Sequence, residues 1–85
     1  MIDNLIGNYI KQMKVEDLLI LGKNYGIIAS YEDASYILDV VKNNWYILYK
    51  GNFTPLLKDI KEHIDPLIYP KVEDLFFTLK KKYNF

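Results

Sequence analysis

Apolar residues recur at helical spacing along most of the chain, and they are densest between Lys14 and Asn44. Within that stretch, the run from Leu18 to Leu21 covers most of the circumference of a helix, at about 100° per residue. Gly26 can then adopt the left-handed conformation that ends a helix. The pattern predicts a second helix here, buried on several sides. Gly22 lies inside it, so either a neighbouring helix approaches closely or the glycine is tolerated near a fraying end.

A third helix is predicted from about Tyr31 to Lys42. Ser30 followed by Asp33 resembles a capping box, in which both side chains satisfy amides at the helix start. We expect the helix to end at Asn43-Asn44. The apolar residues of this third helix recur at intervals of three and four positions and are Ala34, Ile37, Leu38 and Val41.

Three further helices complete the prediction. Residues 2–13 form an amphipathic helix whose polar face carries only one lysine and one aspartate, which favours core packing over a membrane surface. Thr54 is an N-cap residue and Pro55 suits the first position of the fourth helix. A turn at 66–69 precedes a last helix from about Pro70 to Lys82. The apolar face of the fourth helix contains Leu56, Leu57, Ile60 and Ile64; that of the fifth contains Val72, Leu75, Phe76, Leu79 and Tyr83.

The segment Trp45 to Tyr49, with sequence WYILY, has the aromatic and β-branched composition typical of strands. It has no obvious partner strand, and a lone strand cannot satisfy its own backbone. Two interpretations stay open: an extended or single-turn connector that covers the core, or an exposed edge that pairs with a second copy or a partner peptide.

Length and composition indicate one folded domain over residues 1–85, with a radius of gyration of about 12 Å. Hydrophobic residues make up 51% of the chain, and eleven lysines balance eleven acidic residues. Zero net charge disfavours bulk attraction to nucleic acid or anionic lipid. The absence of cysteine suits a reducing cytosol, and no apolar run reaches the length of a membrane span. We therefore expect a cytoplasmic protein without a membrane segment.

No arrangement of residues predicts a reaction, a metal site or a cofactor. The acidic residues lack the ligand spacing of a calcium loop, and glycine-rich phosphate loops and Ser-His-Asp patterns are absent. His63, the only histidine, falls at the edge of the fourth helix's apolar face. We expect it to be a boundary residue; a minor enzyme or metal site there would require a carboxylate from another helix beside the imidazole.

Two clusters are candidates for binding. Phe77 projects away from the apolar face of the last helix, and exposed aromatics can mark a protein-binding surface. The candidate partner surface comprises Trp45, Tyr46, Tyr49, Phe77, Tyr83 and Phe85. The candidate phosphate contacts are the consecutive lysines Lys80, Lys81 and Lys82, although lysines in a last helical turn also suit the helix dipole.

The whole pattern resembles a short family of uncharacterised bacterial proteins from bacilli and staphylococci, classed as a domain of unknown function. The matching segments are EDLLILGKNYGI at Glu16 to Ile27, SYEDASYIL at Ser30 to Leu38 and DPLIYPKVEDLF at Asp65 to Phe76. Lys14 stands where the family tends to have a threonine or serine helix cap, and Pro70 departs from its pattern. The resemblance implies an all-helical fold, supplies no catalytic residues, and implies genes near a DNA-repair endonuclease.

The sequence thus predicts an all-α protein, a compact bundle of four to five short helices with helices two and three central. The favoured function is a non-enzymatic protein-interaction module, with a homodimer through Trp45 to Tyr49 or the face bearing Phe77 as one form of it. The alternative is a nucleic-acid-associated accessory protein that uses the lysine cluster. Neither requires a cofactor.

Overall fold

The computed structural model of this chain describes residues 8–50 and 53–83, apart from the side chains at 45–50, 79, 82 and 83. These residues contain helices and no strand, as the apolar periodicity predicts. In chain order the helices are α1 (residues 8–12), α2 (Val15–Asn24), α3 (Tyr31–Lys50), α4 (Thr54–His63) and α5 (Tyr69–Tyr83). The Cα radius of gyration is 12.0 Å, in agreement with the expected compactness.

Helix α2 has well-defined bonds at both ends. The Asp17 carboxylate accepts the backbone N–H of Lys14 at 2.9 Å, which is half of a capping box. The other half needs an acceptor at position 14, and a lysine side chain has none. At the C-terminal end, Gly26 has a φ of 78°. The Ile27 N–H donates to the Gly22 carbonyl at 2.8 Å and the Gly26 N–H to the Lys23 carbonyl at 3.0 Å, which together form a Schellman motif.

Gly22 is explained by the same motif. It is buried, and a Cβ built on it would lie 3.4 Å from the Ile27 carbonyl oxygen and 3.5 Å from the Ile27 Cβ. The residue that approaches Gly22 therefore belongs to the link that follows α2, not to a neighbouring helix.

Helix α3 begins at the predicted residue but continues beyond the predicted stop. Ser30 Oγ accepts the Asp33 N–H at 3.1 Å, which confirms the N-cap. Asn44 has non-helical dihedrals (φ −134°, ψ 21°), and its Nδ2 donates to the Val40 carbonyl at 2.8 Å. The chain kinks there and then resumes as helix through Lys50. The extended and strand-edge interpretations of Trp45 to Tyr49 are therefore wrong, because helical bonding satisfies this backbone.

Helix α4 begins one residue before its predicted first residue, and α5 lies within one residue of its predicted bounds at both ends. Phe53, and not Thr54, is the N-cap of α4, so Pro55 occupies the second helical position. The turn between the two helices spans residues 66–68, and α5 begins at Tyr69 with Pro70 in its first turn, where a missing amide costs little.

The core lies where α3, α4 and α5 meet. α2 packs on α3, α3 on α4, and α4 on α5; among the described residues the α2–α3 contact is the most extensive. This confirms that helices two and three are central to the bundle. Ile60 is fully buried. The core cluster comprises Ile27, Ile37, Val40, Phe53, Leu56, Leu57, Ile60, Ile64, Tyr69, Val72 and Leu75.

The expected burial of α2 on several sides is wrong in detail. Only Gly22 of this helix is buried, and Ile20 is 61% exposed. In α1, Tyr9 is 67% exposed, although it lies on the apolar face, with Ile10 and Met13, of the amphipathic helix predicted over residues 2–13. Both side chains line an open groove between α1 and α2, so part of the apolar arc of each helix is left uncovered among the described residues.

Candidate interaction surface

Two links between helices meet at one end of the bundle. The Asp65 backbone N–H, after α4, donates to the Asp33 carboxylate in the first turn of α3 at 3.1 Å. The Lys71 ammonium, in the first turn of α5, donates to the Gly26 carbonyl at 3.2 Å. These bonds place the α2–α3 link beside the α4–α5 link.

This end carries the most exposed aliphatic side chains of the described residues. Leu67 is 85% exposed and Ile28 is 83% exposed. Tyr31 and Tyr25 add partly exposed rings, at 60% and 41%. We call these four residues, Tyr25, Ile28, Tyr31 and Leu67, the loop face. Single exposed apolar residues are ordinary, but a group gathered from two links at one end of a molecule is typical of a binding surface.

The α4–α5 link is held in one conformation by its own hydrogen bonds. Asp65 Oδ1 accepts the Leu67 N–H at 2.9 Å, and the Asp65 carbonyl accepts the N–H groups of Ile68 at 3.1 Å and Tyr69 at 3.2 Å. An aspartate that binds the amide two residues on forms an Asx turn. Leu67 therefore projects from a turn with a fixed backbone.

The α2–α3 link is fixed at both ends. The Schellman motif holds its start, the cap at Ser30 holds its end, and the buried Ile27 side chain anchors it to the core. Ile27 is 5% exposed and its neighbour Ile28 is 83% exposed, so this link places one isoleucine in the core and the other in solvent.

The candidate residues predicted from the sequence do not include the loop face. A signal for it was present, however, since Ile27 and Ile28 are adjacent apolar residues outside a helix, and Leu67 and Ile68 repeat that arrangement in the α4–α5 link. In both links the structure buries or half-buries one isoleucine and exposes its neighbour.

Phe77 is 49% exposed, and part of its ring is covered. Its ring centroid lies 5.3 Å from that of Phe53, which also contacts Phe76 at 5.9 Å. Phe53 is buried at the start of α4, so Phe77 helps to hold α5 against that helix. A structural role thus accounts for one side of the Phe77 ring, and the other side stays a candidate contact.

The lysine cluster is not a row of three equivalent cations. Lys80 is half-buried, and its Nζ lies 5.2 Å from the centroid of the Phe53 ring, within the range of a cation–π interaction. Lys81 is exposed. The structure therefore brings Lys80 together with Phe77 around Phe53, where Lys80 contributes to packing.

For most of the other predicted candidates, the structure describes the backbone and not the side chain. The backbone at Trp45, Tyr46 and Tyr49 is helical, whereas their side chains, and those of Lys82 and Tyr83, are outside the described part of the chain. Phe85 is outside it entirely.

A polar cluster of Tyr36, Asp59 and His63 joins α3 to α4. The Tyr36 hydroxyl donates to Asp59 Oδ1 at 2.6 Å and lies 3.0 Å from Nδ1 of His63, whose imidazole stacks on the Tyr36 ring with centroids 4.6 Å apart. The hydrogen bond to Asp59, then burial, then the negative charges of Asp59 and Glu62 raise the pKa of Tyr36 to about 12.

His63 occupies the boundary position that the sequence predicts. Its Nδ1 lies 2.8 Å from the Asp59 carbonyl and 3.0 Å from Asp59 Oδ1, and its side chain is half exposed. The carboxylate beside the imidazole is that of Asp59, one turn earlier on the same helix, whereas the hypothesis of a minor enzyme or metal site predicts one from another helix. Among the described residues, no group of three or more His, Cys, Asp or Glu side chains is arranged to hold a metal ion.

The groove between α1 and α2 is the second exposed feature. Its volume is about 470 Å³. The side chains along it are both polar and apolar and belong to Tyr9, Gln12, Met13, Asp17, Ile20, Leu21 and Asn24. It is lined by residues of α1, α2 and the junction between them, whereas the loop face begins at Tyr25, the residue after Asn24.

Comparison with known proteins identifies the family of this chain. The family model described as "Protein of unknown function (DUF2624)" matches residues 1–80. The chain belongs to this family. The DUF2624 match covers all three sequence segments that carried the resemblance, together with every residue of the loop face. No curated protein and no solved structure matches the chain.

In the described part of this DUF2624 member, no helix combines the length and the apolar character that crossing a membrane requires.

Proposed function

We propose that this protein is a non-enzymatic protein-interaction module that acts in the cytoplasm and binds through the loop face. The observation that carries the proposal is the presentation of Ile28 and Leu67, each more than four-fifths exposed, on two links with fixed backbones. Exposed apolar side chains are stabilised when a partner removes them from water, by about 25 cal/mol for each Å².

The fixed backbone matters because binding is weaker when loops must first become ordered, since their ordering costs free energy. Here the Asx turn at Asp65 and the Schellman motif at Gly26 order both links before any partner arrives. The contact between Asp33 and Asp65 also fixes one link relative to the other. A partner would therefore meet a preformed surface.

Site-specific photocrosslinking in cells tests the proposal. A photoreactive phenylalanine analogue at position 28 lies on the loop face; the same analogue at position 20 lies on an exposed part of α2 and is the matched control. We expect covalent protein adducts from position 28 and few from position 20. A second variant, Leu67→Ser, should reduce the adducts formed at position 28. Equal labelling at the two positions would contradict the proposal.

A further inference from the structure

We infer that the loop face binds a second copy of this chain, so that two protomers pair through Tyr25, Ile28, Tyr31 and Leu67 around a two-fold axis. This inference rests on the proposed function and names its partner. It differs from the dimer surfaces that the sequence predicts, which use Trp45 to Tyr49 or Phe77.

The apolar area is sufficient for such a contact. From their exposed fractions, the four residues together expose roughly 500 Å², tyrosine hydroxyls included, which is comparable with the largest apolar patch on a typical monomer. A standard interface covers about 800 Å² of each partner, of which a little over half is apolar. The loop face supplies the apolar centre of an interface of that size, and the charged residues around it supply the rim.

Those charged residues are of both signs. Lys23 and Lys71 lie at this end of the bundle together with Glu32 and Asp65, and all four are exposed. In a two-fold contact each surface meets its own copy, so that a residue of one protomer faces a different residue of the other. A rim with both signs can therefore pair a lysine of one protomer with a carboxylate of the other.

The net charge of the chain also permits self-association. Eleven lysines and eleven acidic residues give a formal charge of zero. A large net charge keeps copies of a protein apart, and that repulsion is absent here.

The chain has no cysteine, so a single introduced cysteine is the only site at which a thiol-specific crosslinker can react.

The test combines sedimentation equilibrium of the full chain with cysteine crosslinking. We expect a concentration-dependent monomer–dimer equilibrium. The double variant Ile28→Ser/Leu67→Ser should weaken the dimer roughly 100-fold, since each substitution removes a contact from both protomers. The matched control Tyr9→Ser/Ile20→Ser removes two exposed apolar side chains from α1 and α2 and should leave the dimer unchanged. Circular dichroism should show both variants folded.

A single Leu67→Cys variant should form a crosslinked dimer with a short bifunctional maleimide, and Ile20→Cys should not. A monomer at every concentration would overturn the inference. So would a dimer weakened by the control pair and not by the loop-face pair. If the chain is monomeric and position 28 still photocrosslinks to other proteins, the second-copy inference fails while the proposed function stands. If position 28 yields no adduct and no dimer forms, both fail.

Discussion

Asp33 joins the two halves of the loop face. Its carboxylate, at the third residue of α3, accepts the backbone N–H of Asp65 at 3.1 Å across a sequence separation of 32 residues. Its own backbone N–H donates to Ser30 Oγ, so the residue belongs to a helix cap and a tertiary contact together. Asp33 thereby contributes its backbone to the cap of α3 and its side chain to the contact with the α4–α5 link.

Asp33→Ala should lower the free energy of unfolding by about 1–2 kcal/mol, because it leaves the Asp65 N–H without its charged acceptor. Urea denaturation measures the change. Glu32→Ala is the matched control: Glu32 also lies in the first turn of α3 and so shares the helix-dipole effect, but it makes no described hydrogen bond. Equal losses from the two variants would show that the Asp33–Asp65 bond contributes nothing.

Gly26 and Gly22 should respond to alanine with opposite signs. Gly26 has a φ of 78°, so Gly26→Ala should cost about 1 kcal/mol. Gly22 is an ordinary helical residue whose added Cβ would make van der Waals contact with Ile27, so Gly22→Ala should add about 0.5–1 kcal/mol. Thermal and urea denaturation of both variants check the signs. A loss of stability in Gly22→Ala would mean that Ile27 cannot accommodate the methyl group.

Lys14→Ser should stabilise the protein by about 0.5–1 kcal/mol. Serine supplies the acceptor that completes the capping box with Asp17, which already binds the backbone N–H of residue 14. Lys14→Ala removes the same positive charge from the helix start without adding an acceptor, so the difference between the two variants isolates the cap. If serine and alanine give equal stability in urea, the box does not form.

Ionisation of Tyr36 should lower the free energy of unfolding as the pH rises through the alkaline range. Its pKa is raised from 10.0 to about 12 in the folded protein, so the folded state retains a proton that the unfolded state releases. The contribution of the protonated Tyr36 hydroxyl to the free energy of unfolding is complete below pH 10 and is lost as the pH rises toward 12. Urea denaturation between pH 9 and about 11.5 should show a steeper decline for the wild-type chain than for Tyr36→Phe.

Absorbance at 295 nm gives an independent reading of the same group. The wild-type titration minus that of Tyr36→Phe should show one tyrosine with a midpoint near 12. Asp59→Asn removes the negative charge that accepts the hydroxyl proton, and it should move that midpoint down toward 10. An unmoved midpoint in Asp59→Asn would exclude the Asp59 carboxylate as the main cause.

Ile60 and Leu67 should differ strongly in sensitivity to truncation. Ile60 is fully buried, so Ile60→Ala should cost about 2–5 kcal/mol and Ile60→Val about 0.5–1.5 kcal/mol. Leu67 is 85% exposed, so Leu67→Ala should change stability by less than about 0.5 kcal/mol. Urea denaturation of the three variants measures this contrast. A large loss from Leu67→Ala would mean that the link contributes to folding and is not simply a binding element.

The sequence determined much of the fold because its strongest features act locally. Ser30 caps α3, Gly26 ends α2, and Pro70 allows helix in the first turn of α5, each through contacts within a few residues. The apolar periodicity of α4 identified its buried face correctly at Leu56, Leu57 and Ile60. These features need no knowledge of what packs against them.

Strand propensity failed at Trp45 to Tyr49 because aromatic and β-branched residues favour strands only when a sheet is available to pack in. Without a partner strand, the backbone there satisfies its hydrogen bonds as a helix beyond the kink at Asn44. Similarly, periodicity gave α2 a wide apolar arc but could not show how many neighbours would cover it. That number depends on the arrangement of the other helices.

Tertiary structure alone brought the two links of the loop face together. The sequence shows that Ile28 and Leu67 lie outside helices, 39 positions apart, and it does not show that their links meet. They meet because Asp33 reaches Asp65 and Lys71 reaches Gly26, contacts that exist only after α3, α4 and α5 have packed. Local chemistry specified the helices, and the packing of their buried faces determined which exposed residues form one surface.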